Sequence, residues 1–117
     1  MVKRPDGALE HDIMTVLWSA RRPLLPGEIK QRLANDLAYT SVATVLGRLR
    51  VKGLVERAES GRAFAYHAVV DESELATRRI GDVLSSASDR TAVLAGFVGS
   101  LSKREAKALR MMLDGST

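Results

Sequence analysis

Cysteine is absent from the 117 residues. That excludes disulfides, thiolate metal sites and cysteine nucleophiles, and it suits a reducing compartment. Histidine is nearly absent: His11 and His67 lie far apart, and neither has a second ligand at helical or turn spacing, so no metal site is expected. Long apolar runs are missing as well. No stretch approaches the roughly 20 residues of a membrane span. The N-terminal MVKRPDGALEHD turns acidic where a signal peptide would carry its apolar segment. A soluble, cytoplasmic chain without a membrane partner is expected. Aromatic residues make up only 4%, and Trp18, the single tryptophan, is read as core. The glycines are scattered and form no phosphate loop, and no serine stands in a nucleophile elbow. Glu72 and Glu74 sit at a polar helix start, where capping accounts for them. With no catalytic constellation, neither an enzyme nor a cofactor is expected.

What is present fits a globular chain with one domain, or a small domain with an appendage. Apolar content is 45%, and a chain of this length buries roughly two thirds of the surface it exposes when unfolded. The charge is unevenly placed. Residues 1–70 hold 11 Lys/Arg against 7 Asp/Glu, whereas residues 71–117 hold 7 against 7. The whole excess of +4 therefore lies in the first part, where a positive field favours polyanions.

That part is organised around Leu37 to Gly53, LAYTSVATVLGRLRVKG. Val42, Val45, Leu46 and Leu49 recur at spacings of three and four, which marks one buried helical face. The opposite face carries Thr40, Ser41, Thr44, Gly47, Arg48 and Val51, and no acid occurs between Leu37 and Lys52. Small residues permit close approach to a large partner. Hydroxyls donate to phosphates or base edges, and arginine reads guanine through two parallel hydrogen bonds.

Upstream, residues 1–8 read as an arm containing Lys3 and Arg4. A helix from Leu9 follows, with Leu9, Ile13, Val16 and Leu17 on one face, and Ser19–Pro23 break it. Pro26 suits a first helical turn. It opens a short helix to about Ala34 that buries Ile29 and Leu33, and Asn35 and Asp36 turn into the next helix. This order is a helix-turn-helix, whose second helix enters the major groove. Gly53 is placed to terminate that helix. Leu54–Ala58 and Ala63–Val69 then flank a turn, Glu59–Arg62, and read as a β-hairpin. A hairpin at this point is the wing of a winged helix. Arg62 falls near its tip, within reach of a phosphate or a minor groove.

From Asp71 three helices are expected. The first has an acidic start and an apolar face of Leu75, Ile80, Val83, Leu84 and Ala87. The second, Ala92 to Leu101, holds Val93, Leu94, Phe97 and Val98. The third is capped by Ser102 with Glu105 three residues on, and buries Ala106, Leu109, Met112 and Leu113. A tail of this size is too small to bury all these faces alone. A second copy would cover them, and a palindromic operator demands a two-fold protein. The expected fold is therefore mainly α with a small β-hairpin. A winged helix-turn-helix DNA-binding domain occupies residues 1–70 and a helical dimerisation region residues 71–117.

LEHDIMTVLW (9–18), AYTSVATVLGRLRVKGLV (38–55) and GRAFAYHAVV (61–70) resemble the penicillinase-repressor family of bacterial transcription regulators (BlaI/MecI, with a copper-responsive CopY branch). With the tail, the likeness covers nearly the whole chain. It implies a dimeric winged-helix repressor on palindromic operators upstream of β-lactamase-type genes. It also implies recognition-helix contacts at Tyr39, Thr40, Ser41, Thr44 and Arg48, a wing over Leu54 to Val69, and induction through a sensor-linked protease that cuts the C-terminal helical region at an Asn–Phe bond. The counterpart is Gly96-Phe97, with glycine in place of the asparagine. The copper branch senses metal through cysteines, and this chain has none.

Two readings follow. In the first, a homodimeric repressor binds double-stranded DNA, and repression ends when the dimer is lost. Its dimer face is Leu75, Ile80, Val83, Leu84, Val93, Leu94, Phe97, Leu109 and Met112. In the second, the winged helix is a protein-interaction module, or the helical tail holds a small molecule in an apolar pocket. The interaction reading calls for an apolar outward face on the central helix, and the hydroxyl-and-arginine face from Thr40 to Arg48 argues against it.

Overall fold

The computed structural model describes residues 7–33 and 37–115. Lys3, Arg4, Ala34, Asn35 and Asp36, named above for the arm, the helix end and the turn, lie outside the described residues. The elements are α1 (Ala8–Ala20), α2 (Pro26–Arg32), α3 (Tyr39–Val51), β1 (Val55–Ser60), β2 (Ala63–Ala68), α4 (Glu72–Ser86), α5 (Arg90–Gly99) and α6 (Lys103–Leu113). They fall into two compact units, one up to Leu75 and the other from Ala76.

The first unit holds one core. α3 contributes Val42, Val45, Leu46 and Leu49, the four residues whose spacing predicts its inner face. α1 adds Ile13, Leu17 and Met14, and Met14 is as fully buried as Ile13 although the sequence reading passed over it. Met fills irregular gaps, so its side chain suits a helix crossing better than its unremarkable position suggests. Leu9, Val16 and Trp18 pack at the edge of this core. α1 also runs two residues further than expected. Thr15 Oγ1 and Ser19 Oγ bond back to the carbonyls of His11 and Thr15, at 3.0 and 2.9 Å, so Ser19 stays helical. Arg21 then ends the helix in the left-handed conformation, at φ 57°.

The segment before α2 makes one long-range attachment and one local one. Leu24 forms a single antiparallel bridge to Tyr66, with N–H to carbonyl distances of 2.9 and 2.8 Å in the two directions. This fixes the hairpin against the chain that leads into α2. Arg22 grips Glu28, Nη2 to Oε2 2.6 Å, and Glu28 Oε1 also accepts from the Leu25 N–H at 3.0 Å. The arginine first and the backbone N–H second hold the Glu28 carboxyl down to about 2.

β1 and β2 pair antiparallel from Val55↔Ala68 to Ser60↔Ala63. The turn is therefore only Gly61-Arg62, and Glu59 and Ser60, expected in it, belong to β1. Gly61 has φ +66° while Arg62 does not turn positive, the II′ pattern whose twist matches the flanking strands. Past β2, Trp18 Nε1 donates to the Val70 carbonyl at 2.8 Å.

Asp71 opens α4. Its Oδ1 accepts from the Glu74 N–H at 2.7 Å and from the Ser73 hydroxyl at 3.0 Å, and these bonds, backbone first, hold its carboxyl below the usual range. Leu75 departs from its expected place on the dimer face. It is only 5% exposed and completes the core of the first unit. One helical turn from Asp71 carries it there, so the first unit continues past the change of composition at residue 71.

The second unit has no such core. None of its described residues is buried. Leu84, Ala106 and Leu109 are half-buried, while Ile80, Val83, Val93, Leu94, Phe97, Val98, Met112 and Leu113 are exposed. Ile80, Val83, Leu84, Val93, Leu94, Phe97, Val98 and Leu109 line an open groove of about 450 Å³. α5 starts at Arg90 rather than Ala92, because the Asp89 side chain caps it by accepting from the Ala92 N–H at 3.0 Å. It also ends earlier, at Gly99, where Ser100 and Leu101 donate to the Phe97 and Val98 carbonyls in a tighter turn. α6 has the capping box read from the sequence: Glu105 N–H to Ser102 Oγ is 3.1 Å and Ser102 N–H to Glu105 Oε1 is 2.9 Å.

Candidate nucleic-acid interface

The interface is built on α3, and the end of that helix shows how it is held. Gly53, at φ +75°, sends its N–H to the Arg50 carbonyl, and Leu54 sends its N–H to the Leu49 carbonyl, both at 3.0 Å. This is the Schellman arrangement, which satisfies carbonyls a helix end would leave open and requires a residue free to turn left-handed. Leu54 then enters the core beside Leu49, and its own carbonyl accepts from the Val69 N–H at 3.0 Å. The helix and the base of the hairpin are thus joined within two residues. On the opposite side, Lys52 Nζ pairs with Glu10 at 2.8 Å and ties the end of α3 to α1.

With one face of α3 in the core, the other is presented outward. Tyr39, Thr40, Ala43, Thr44, Gly47, Arg48, Arg50 and Val51 are exposed, and Ser41 is half-buried. Thr40, Ser41, Thr44 and Arg48 come together along a shallow groove with Leu9. Thr44 and Arg48 also border a second one with Gly47, Val51 and Lys52. Tyr39 stands at the first turn. Among the described residues the side chains of Thr40, Thr44, Arg48 and Arg50 make no hydrogen bond or ion pair, so their donors are open to an incoming partner. Arg62 lies at the hairpin tip, outside these grooves.

Two features of this surface were missed in the sequence. Arg50 is exposed on the flank of α3 away from Arg48. Arg57 lies on the hairpin with its guanidinium 4.0 Å from the Phe64 ring centroid, a contact that holds a cation in place over an aromatic face. Strand alternation gives the signal for it. Arg57 and Phe64 point the same way as Val55 and Tyr66, but beyond the edge of the core. On the other face of the hairpin His67 Nε2 lies 3.8 Å from Glu56. Among the described residues no three His, Asp or Glu side chains gather as metal ligands, and no helix is long and apolar enough to cross a membrane.

A short helix, a longer helix with an open polar face and a two-stranded hairpin joined to it make a winged helix-turn-helix, the fold of a class of DNA-binding transcription regulators. Solved structures share the arrangement. hsRosR-S1 superposes with a TM-score of 0.52 at 24% identity, over 87% of this chain and 93% of that one. YusO of Bacillus subtilis does so at 0.50 and 20%, over 94% and 75%. The penicillinase repressor profile matches residues 7–115. The transcriptional regulator BlaI of Mycobacterium tuberculosis (strain H37Rv) is 39% identical over 112 residues, which cover 92% of this chain and 81% of that protein. The chain belongs to the penicillinase repressor family, whose members are transcriptional regulators and not enzymes.

Proposed function

We propose that the protein is a homodimeric repressor that reads a palindromic operator with α3 and releases it when the dimer is lost. The observation that carries this is the pairing of an open, acid-free recognition face on α3 with a second unit whose described residues bury nothing. The first supplies the reading surface. The second has apolar faces on α4, α5 and α6 that a second copy would cover, and two-fold symmetry in the protein matches two half-sites in the DNA. Thr40, Ser41 and Thr44 offer hydroxyls to the groove from one side of α3, Arg48 reads a base, and Tyr39 and Arg62 touch the backbone. The dimer face is Ile80, Val83, Leu84, Val93, Leu94, Phe97, Leu109 and Met112, without Leu75. The regulated genes are of the β-lactamase or antibiotic-response type, in keeping with the family.

Release by a sensor-linked protease would act at Gly96-Phe97. That bond lies inside α5, so cutting it requires the helix to open first. In the single chain this ten-residue helix has no buried residue, so it opens at low cost once its cover from the second copy lifts. Cleavage there would split the apolar surface and end the dimer.

Titration against the promoter duplex beside its own gene and against a scrambled duplex, at two salt concentrations, tests the proposal. The promoter should bind about a thousandfold more tightly or better, with a two-fold footprint, and both affinities should fall as salt rises. Arg48→Ala should cost about 1–3 kcal/mol on the promoter and relax preference at one base pair. Equal, weak binding of both duplexes would remove the base-reading role.

A further inference from the structure

Val51 closes the outward face of α3 and is 90% exposed, more than any other large apolar residue described. At 3.6 residues per turn, Thr40, Thr44, Gly47 and Val51 fall within an arc of about 60°, directly opposite the buried valines and leucines. Arg48 and Arg50 stand roughly a quarter-turn to either side. The middle of the face thus carries no charge and ends in an isopropyl group. Gly47 adds a second constraint. A Cβ there would meet nothing within 4 Å, so packing inside the chain does not call for glycine, and glycine weakens a helix relative to alanine. A bare backbone at that point suits a surface that approaches α3 from outside.

The apolar feature of a major groove is the C5-methyl of thymine. We propose that Val51 is a specificity residue that packs on a thymine methyl, seated there by the close approach at Gly47. The inference rests on the reading of α3 as the groove-bound helix. From Thr40 to Val51 the helix advances about 16 Å, so the thymine lies several base-pair steps along from the base facing Thr40.

The test uses the full chain and a duplex that it selects from a random-sequence pool, resynthesised with deoxyuridine replacing each thymidine in turn. Deoxyuridine lacks only the methyl. Burial of one such group corresponds to about fourfold in affinity. The wild type should lose about that much at one position in each half-site, and Val51→Ala should be indifferent at that position while keeping its other preferences. Gly47→Ala should raise the thermal midpoint yet bind the selected duplex severalfold more weakly. If every deoxyuridine duplex binds like its parent, or Val51→Ala keeps all the wild-type penalties, the proposal is overturned. Thr44→Ala and Arg48→Ala on the unmodified duplex separate the two levels. Losses there without any deoxyuridine effect leave α3 in the groove and remove Val51, whereas no loss removes α3 itself. A pool that yields no enriched duplex overturns both.

Discussion

The two units of this chain spend similar helical material differently. In the first, three helices and a hairpin converge so that Ile13, Leu24, Ile29, Val42 and Leu46 are completely shielded. In the second, α5 and α6 are as regular and as well capped, and nothing from Ala76 onward is buried among the described residues. Capping and helical periodicity make helices, but they do not make a core. A core needs faces that meet. The contrast teaches that local order and self-sufficiency are separate properties, and each can be tested.

The largest effect is expected in the first unit. Leu46→Ala should cost about 2–5 kcal/mol and lower the denaturant midpoint to the same extent at low and high protein concentration. In the second unit the effect should depend on concentration. Phe97→Ala, which truncates an aromatic exposed in the single chain, should weaken self-association by about 2 kcal/mol, or about thirtyfold, measured by sedimentation equilibrium. A variant that sediments like the wild type at every concentration would break the comparison, because the tail would then be complete without a second copy.

Glycine substitutions should differ in sign between the units. Gly53 sits at φ +75°, so Gly53→Ala should destabilise by about 1–2 kcal/mol. Gly96 is helical with open space around it, so Gly96→Ala should stabilise the isolated tail helix by about 0.5–1 kcal/mol. Loss of self-association on Gly96→Ala would show that a second chain comes close at that point.

The smallest effect concerns pH. Glu28 is depressed from 4.5 to about 2 by Arg22 and the Leu25 N–H. A lowered folded-state value means that its contribution is fully present above the unfolded value and is lost as pH falls from about 4.5 through 2. Glu28→Gln should therefore flatten the acid limb of the stability curve in that window: its loss, kept modest because the pair is largely solvent-screened, is full at neutral pH and disappears as the wild-type carboxyl protonates. Tail association should not follow it.

Much of the first unit was legible in the sequence, and the reason is periodicity. Val42, Val45, Leu46 and Leu49 declare their face by spacing alone, and so do the exposed positions opposite them. The hairpin was legible from Ser60-Gly61 and the apolar segments around it. What periodicity cannot carry is pairing at a distance. Leu24 meets Tyr66 across the fold, Trp18 meets Val70, and neither partner is written near the other. Leu75 was misplaced because a change in composition at Asp71 marks where a helix begins, not where packing ends. Met14 was passed over because a flexible side chain follows the shape of its neighbours. On the candidate interface, Gly47 and Val51 were visible on the helical wheel as part of the outward face, though neither was named as a contact. Arg57 was hidden because only the strand register brings it over Phe64.

The bond from Trp18 to Val70 has an optical consequence. The chain has one indole, and its N–H ends on a carbonyl that immediately precedes the turn into α4. Tryptophan emission depends on what the indole N–H touches, so this chromophore is a native reporter of how the start of α4 is held within the first unit. Its colour and lifetime will follow the opening of that bond without any added label. A stopped-flow trace on DNA or after a protease will then read that attachment itself.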